Sequence, residues 1–449
     1  MSLVTKGIGL AKKAKHRFQD QIRERTPVYL SPVRRIERVA TEERICAMTF
    51  DDGPCALPAN PDHFRGKPLT LVLAETLEHY GAKGTFDVVG DTSHNYPDKA
   101  GKHGSASWGG ISYDHYPDFK KDDQGGVVHC PELVTRLLAG GHEITSHTYS
   151  HILFGWKPLV YGRRKYLSGL EPVVQDLKKL HGTMEKGWGY PIRLSRPPHY
   201  VDGIKGGFTS YDAYALMGYQ YMAASFDGAG WLPLASYEAE VEATWKPMER
   251  ILLENPDYFR GQIIFQKDGF NMARRTPVAD GLDKQLQLLT DHGYKVVTVS
   301  ELLERSPFRD ALPSSDIGAA ARRLLGHGWC VAFQDNTLRP DTVLTRGALA
   351  MLAFGCETIR QRIKLVRSGR APFRDMAPRH PYAAAAVLAD ETGALRAENG
   401  RFRPDAPVTP EELRRFFEVR LGRSCGDIPS QITHGQFFLL ADSLMGRGQ

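Results

Sequence analysis

From about residue 41 the chain alternates short apolar runs with stretches of helical spacing. Residues 45–50 form a nearly unbroken apolar run that stops abruptly at Asp51-Asp52-Gly53-Pro54, the pattern of a buried strand running into a loop. Leu69, Leu71, Ala74 and Leu77 then recur on one helical face, Gly81 ends the stretch, and residues 85–89 predict a second strand. Residues 91–128 break the rhythm with Gly, Asp, His, Ser and Lys and little periodicity, which predicts a long insertion or loop. A helix over 131–138 and a strand over 142–145 resume the alternation, and further strands are expected at 220–225, 262–266 and 295–299. Strands alternating with helices imply an α/β class with a parallel sheet, open or closed into a barrel. Such folds place their chemistry at the C-terminal ends of the strands.

After residue 303 the pattern changes to an internal repeat. Pro307-Phe308-Arg309-Asp310 returns as Pro372-Phe373-Arg374-Asp375, and Leu338-Arg339-Pro340-Asp341 returns as Phe402-Arg403-Pro404-Asp405. Each Arg-Pro-Asp is followed by a threonine, Thr345 or Thr409, that opens an apolar helix, and Thr433 ahead of Phe437-Phe438 starts a third, truncated copy. Thr409-Pro410-Glu411-Glu412 fits a capping box with Pro at the first helical position. The last third of the chain is thus expected to be a separate all-α repeat module.

The first forty residues differ from both. Leu10, Ala11, Ala14, Phe18 and Ile22 lie at helical spacing among Lys12, Lys13, Lys15 and Arg17. This fits either a basic amphipathic helix resting on anionic lipid or wall polymer, or a solvated helix that packs Phe18 and Ile22 on the following domain. No apolar stretch of the kind found in a secretory signal follows the basic residues.

Composition narrows the class. The 449 residues are 41% hydrophobic and 24% charged, ordinary for a globular chain. No run of about 18 apolar residues is present, so no membrane-spanning helix is expected. Six scattered cysteines include no C-x-x-C pair and suggest neither a disulfide framework nor a structural zinc site. The net charge of +6 is misleading, because residues 1–40 carry +7 and the rest of the chain −1. A neutral body makes nucleic acid a poor partner.

Two segments carry candidate chemistry. Asp51 and Asp52 sit side by side at a strand end, and His147 and His151 are four residues apart, a spacing that on a helical turn brings both rings to one face. Two imidazole nitrogens and one carboxylate oxygen suit Zn²⁺ and leave a position for water, with the neighbouring carboxylate free to act as general base. Each segment has a plain alternative, a structural His pair and an ordinary Asp-Asp-Gly-Pro turn.

Residues of about 44–304 resemble the NodB-homology polysaccharide deacetylases, carbohydrate esterases that remove acetyl groups from glycans. The likeness rests on Thr49-Phe50-Asp51-Asp52-Gly53-Pro54, Gly84-Thr85-Phe86 with Val88-Val89-Gly90, and Gly141-His142-Glu143-Ile144 running into His147 and His151. It continues through Arg196-Pro197-Pro198, Asp227 with Trp231, and the closing Gly293-Tyr294 and Val297-Thr298-Val299-Ser300-Glu301-Leu302-Leu303. The resemblance implies a distorted (β/α) barrel over 41–305, preceded by a basic arm (1–40) and followed by the helical repeats (306–449). It implies Asp52, His147 and His151 as ligands of Zn²⁺ or another divalent ion such as Co²⁺, Ni²⁺ or Mn²⁺, and Asp51 as the base, oriented by Arg196. The backbone N–H of His199, next to Pro198, would complete the oxyanion site, and the substrate would be an N- or O-acetylated polysaccharide.

The sequence departs from that family at three positions. Lys267 stands where the family has a histidine that protonates the leaving amine, and in the Asp227-Gly228-Ala229-Gly230-Trp231 motif Gly230 replaces the second carboxylate. Ser195 also replaces an apolar residue before Arg-Pro-Pro. Lys267 is expected either to act as the acid or to pair with Asp268 or Asp227, and the rival reading is a weak or inactive glycan-binding protein that keeps the metal site. His94, His103, Asp114, His115 and His129 are expected to be loop residues rather than a second metal site, and His142 to be a packed strand residue. Trp231, Trp156, Tyr200 and Trp108 are candidates to stack on sugar rings. The C-terminal repeats resemble surface-layer homology domains, which implies anchoring to anionic cell-wall polysaccharide and a location at the cell surface. Of the basic residues that anchoring would use, only Arg346 is present.

Overall fold

The computed structural model describes residues 28–91, 124–156, 166–231, 233–271 and 274–446. The expected basic helix around Leu10–Ile22, and His94, His103, Trp108, Asp114 and His115, lie outside them.

A parallel sheet forms the centre. Its strands are β1 (Arg35–Ile36), β2 (Ile45–Asp51), β3 (Thr85–Val88), β4 (Glu143–Ser146), β5 (Leu194–Ser195), β8 (Gln220–Met222), β9 (Phe226–Asp227), β10 (Ile263–Lys267) and β11 (Lys295–Val297), while β6 (Gly203–Ile204) and β7 (Phe208–Thr209) form a separate antiparallel hairpin. Every residue of β2 is buried, as expected of a parallel strand covered on both faces. From β2 the sheet runs through β3, β4 and β5 to β8, and on the other side through β10 to β9. The chain passes directly from β8 to β9, and between them the Ser225 N–H donates to the Ile263 carbonyl at 3.0 Å. The sheet therefore curls round on itself, in keeping with the expected barrel. Upper and lower halves of β2 have different neighbours on one side: Thr49–Asp51 pair with β3, and Ile45–Ala47 with β11.

Helices Leu69–His79, Pro131–Ala139, Leu170–Trp188, Tyr237–Glu254 and Pro277–Asp291 lie outside the sheet and bury one face each, through residues such as Leu73, Leu77, Leu177 and Leu286. The helix expected over 131–138 and the strands expected at 45–50, 85–89, 142–145 and 262–266 fall within a residue or two of the observed elements, whereas the strand expected over 220–225 ends at Met222.

Residues 306–446 are helical, with a hydrophobic cluster of their own built around Leu324, Leu349, Phe402, Phe416 and Phe437. The sequence repeat is a structural one. The Asp310 carboxylate accepts the N–H groups of Leu338 (2.7 Å) and Arg339 (3.0 Å), and Asp375 accepts those of Phe402 (3.0 Å) and Arg403 (2.7 Å). Thr345, Thr409 and Thr433 each accept an N–H three residues on, and Glu412 completes the expected capping box. Arg346, expected to reach a glycan, is instead buried: it donates to the carbonyls of Phe402 (2.7 Å) and Arg396 (2.8 Å) and pairs with Glu412.

Residues 28–40, the end of the expected arm, are built into the fold. Leu30 is buried in the helical cluster and bridges Phe333, while β1 pairs with β8 five residues later. Arg34 between them is buried, its guanidinium donating to the Pro307 carbonyl (3.1 Å) and Asn336 Oδ1 (3.2 Å). Basic residues here serve packing across the two cores, which charge counting alone cannot reveal.

Candidate metal centre and active site

The chemistry gathers where β2, β3, β4, β5 and β10 end. Asp51 is the last residue of β2, and Asp52 turns the chain with a left-handed φ of 81°. Gly53 follows because a Cβ there would collide with the Asp268 carboxylate. Asp268 in turn donates its N–H to the Asp51 carbonyl at 2.7 Å and takes the Thr70 hydroxyl at 2.7 Å, tying the ends of β2 and β10 together. Burial pushes the Asp268 carboxyl up to about 7 despite that hydrogen bond.

His147 and His151 converge for a different reason from the one their spacing suggested. Residues 147–151 are an irregular turn after β4, not a helical one, and left-handed Thr148 (φ 76°) and His151 (φ 56°) bring the two rings to 4.9 Å. The turn is pinned by the Asp176 carboxylate, which accepts the N–H groups of Tyr149 (2.8 Å) and Ser150 (3.3 Å). Asp52 Oδ1 lies 3.3 Å from His147 Nε2 and 3.1 Å from His151 Nε2, all three residues buried. One carboxylate oxygen and two imidazole nitrogens facing a common point are the donor set of a divalent-cation site, so these residues fit the implied ion.

Beside them Asp51 pairs with the fully buried Arg196, whose guanidinium also donates to Thr49 Oγ1 and the Ala223 carbonyl, both at 3.1 Å. Burial raises the Asp51 carboxyl to about 7, although Arg196 and His147 pull the other way. For His147 burial opposes the charged form, yet Asp51, Asp52 and Asp87 outweigh it and hold the imidazole at about 10.

The remaining expected residues divide. Pro198 and His199 form a tight turn after β5, and the His199 ring meets that of His151 edge-on at 5.4 Å. Tyr200 lies between Arg35 and Arg196 at 5.3 and 5.7 Å. Lys267 ends β10 and its ammonium pairs with Oδ2 of Asp52, not with Asp268 or Asp227 as expected. Asp227 is exposed and spent on its own loop, accepting the Ala229 N–H (2.9 Å) and the Trp231 indole N–H (3.1 Å). A side chain at Gly230 would run into Val278. Trp156 is exposed at 62%, and His142, expected on a strand, lies just ahead of β4 as a packed residue accepting the Gly84 N–H at Nδ1 (3.0 Å). Ser195 is accommodated in the core because its hydroxyl donates to the Ser146 carbonyl at 2.7 Å.

Sequence reasoning passed over Asp87. This fully buried carboxylate ends β3 beside Asp51, accepts the Thr145 hydroxyl at 2.6 Å, and lies 3.0 Å from His147 Nδ1. A lone carboxylate inside the apolar run 85–89 was the available signal.

Comparison with known proteins places these residues in context. The chain is 26% identical over 309 residues to the peptidoglycan-N-acetylmuramic acid deacetylase PdaC of Bacillus subtilis, covering 67% of this chain and 47% of that protein. It is 28% identical over 270 residues to a peptidoglycan-N-acetylglucosamine deacetylase of Bacillus cereus, covering 59% and 91% respectively. The chain thus spans about half the length of the first relative and nearly all of the second. Among solved structures, Bacillus subtilis PdaC aligns with 59% of this chain and 91% of its own, at 23% identity and a TM-score of 0.37. Residues 38–201, which hold Asp51, Asp52, Asp87, His147, His151 and Arg196, match the polysaccharide deacetylase family.

Proposed function

We propose that this protein is a divalent-metal-dependent deacetylase of N-acetylated glycan, with peptidoglycan sugars as the first substrate class to test. The observation that carries this reading is the convergence of Asp52, His147 and His151 on one point with the Asp51–Arg196 pair alongside. Asp52 Oδ1 and the two Nε2 atoms would hold an ion such as Zn²⁺, which when bound supplies Lewis acidity toward a carbonyl oxygen and lowers the pKa of a water. Asp51 is the base: its carboxyl sits at about 7, poised to take a proton near neutral pH, and Arg196 orients it. The turn at Pro198-His199 borders the same space and is assigned to the oxyanion side. Lys267, paired with Asp52, is assigned first to steadying that ligand, and protonation of a departing amine would require it to leave that pair. Asp227 and Trp231, bound to each other, form a rim for the sugar chain.

Two homologues named as peptidoglycan deacetylases support the substrate class. The helical repeats are assigned to an accessory module. Anchoring to anionic wall polysaccharide would have to use residues other than Arg346, whose guanidinium is already engaged.

The test is acetate release from acetylated peptidoglycan, chitin oligomers, acetylated xylan and a small acetyl ester by zinc-loaded protein, beside Asp51→Asn. Release that disappears in the variant supports the reading. No release from any substrate while zinc binds stoichiometrically would overturn it in favour of a glycan-binding protein with a retained metal site.

A further inference from the structure

We infer that Asp87 is a positioning residue of the metal centre, its carboxylate backing the Nδ1 side of His147 so that Nε2, which faces the cation, becomes a stronger donor. This rests on the metal-dependent reading above and deepens it.

The geometry allows His147 one arrangement as a ligand. Its Nε2 points toward Asp52 Oδ1, on the side where His151 Nε2 also points. Its Nδ1 is hydrogen-bonded to the Arg196 carbonyl at 2.9 Å, and Asp87 Oδ2, which has no hydrogen bond of its own among the described residues, lies 3.0 Å from the same nitrogen. Two oxygens about one nitrogen demand a hydrogen on it, and a neutral imidazole with N–H at Nδ1 leaves the lone pair at Nε2 for the ion. Arg196 thereby acts twice, its side chain on Asp51 and its carbonyl on His147.

The carbonyl alone would set the tautomer, so Asp87 must bring something else. Burying a carboxylate at zero exposure is costly unless it is well compensated. The compensation from the fold is one hydroxyl, Thr145 Oγ1 on Oδ1, while Oδ2 faces His147. Its strand neighbours Phe86 and Val88 are core residues, and no cation other than His147 forms an ion pair with Asp87 among the described residues. The carboxylate is placed by register: Asp87 pairs with Asp51 on one side and Thr145 on the other, directly below the turn that starts at His147. A carboxylate beside Nδ1–H makes the ring a stronger donor at Nε2 than a carbonyl alone does, and losing an outer partner of a ligating histidine usually costs 10- to 100-fold in metal affinity.

The test uses the full chain and zinc alone. Zinc affinity is measured by competition with a chromophoric chelator for wild type, Asp87→Asn and Thr145→Val, together with the ¹H and ¹⁵N resonances of His147 in the zinc-loaded proteins. Asp87→Asn keeps the shape and an acceptor oxygen but removes the charge. It is expected to bind zinc 10- to 100-fold more weakly, with the His147 Hδ1 resonance moved upfield and the unfolding transition retained. Thr145→Val leaves the carboxylate but frees it from its hydroxyl, and is expected to show a smaller loss of the same sign. If Asp87→Asn fails to fold, Thr145→Val alone decides the matter by the same two readouts. Zinc affinity within twofold of wild type and an unmoved Hδ1 resonance would overturn the role of Asp87 while leaving the metal centre standing. A wild-type chain that binds no divalent ion would overturn the metal centre itself, a distinct outcome.

Discussion

Arg346 is the residue on which two readings of the C-terminal repeats part, and replacing it with methionine separates them. The change keeps most of the apolar stem and removes the guanidinium. Three contacts go with it: the bonds to the Phe402 carbonyl (2.7 Å), to the Arg396 carbonyl (2.8 Å), and the ion pair with Glu412. A hydrogen bond from a charged donor contributes about 1.5–3 kcal/mol. The Glu412 carboxylate is 27% exposed and keeps its bond to the Thr409 N–H (2.9 Å), so its loss of a partner costs far less than stranding a buried charge. Packing of the methionine beside Phe402 returns part of the total. The net expectation is a loss of about 3 kcal/mol, equivalent to roughly 6–12 °C in Tm for a unit of this size. Thermal unfolding of full-length wild type and Arg346→Met, followed by circular dichroism and calorimetry, measures it, with sedimentation on purified cell-wall glycan as the second readout. An unchanged Tm with abolished wall binding would refute the argument, because it would mean that the guanidinium serves a ligand rather than the fold.

Other expectations follow from the site and its surroundings. Arg196→Lys should lower kcat for acetate release at least 100-fold, since one ammonium cannot serve Asp51, Thr49 and the Ala223 carbonyl together; a kcat within threefold of wild type would count against Arg196 as the orienting group. His142, fully buried, is held down to about 4 from its ordinary 6.5, so it contributes stability that is complete above pH 6.5 and lost as pH falls toward 4. Between pH 7 and pH 5 that loss is about 2 kcal/mol, and urea midpoints of wild type against His142→Asn should show the variant missing this part of the slope. Gly230→Asp, which restores a carboxylate to the loop, should destabilise the chain by about 1–3 kcal/mol through its collision with Val278. It should bring no gain in acetate release, and a rate increase in that single variant would show that the loop can move to accept it.

The periodic parts of the chain were legible because burial writes them directly into residue choice. The buried, largely apolar β2 run, the amphipathic helices and the Thr-led helix starts each reflect a local rule, and the structure follows them within a residue or two. Asp52, His147 and His151 were legible as a donor set because few other residue types can serve a cation. They lie close together in the fold, but not through a helical turn: left-handed Thr148 and His151 in an irregular turn bring the rings together, and no spacing rule announces a positive φ at such residues.

What the sequence determined by itself is therefore which side chains exist at the strand ends and that the strands are parallel. The partner of each charge was decided only by the tertiary structure. Lys267 could have met Asp268 beside it, but successive residues of a strand point to opposite faces, and the register of β10 on β2 sets Lys267 level with Asp51 and within reach of Asp52. Asp87 comes under His147 because β3 lies between β2 and β4. Arg34 and Arg346, which read as surface charge, are buried between segments hundreds or tens of residues apart. Charge pairing depends on distances of a few ångströms across the fold, and those are set by how whole elements pack rather than by any neighbour along the chain.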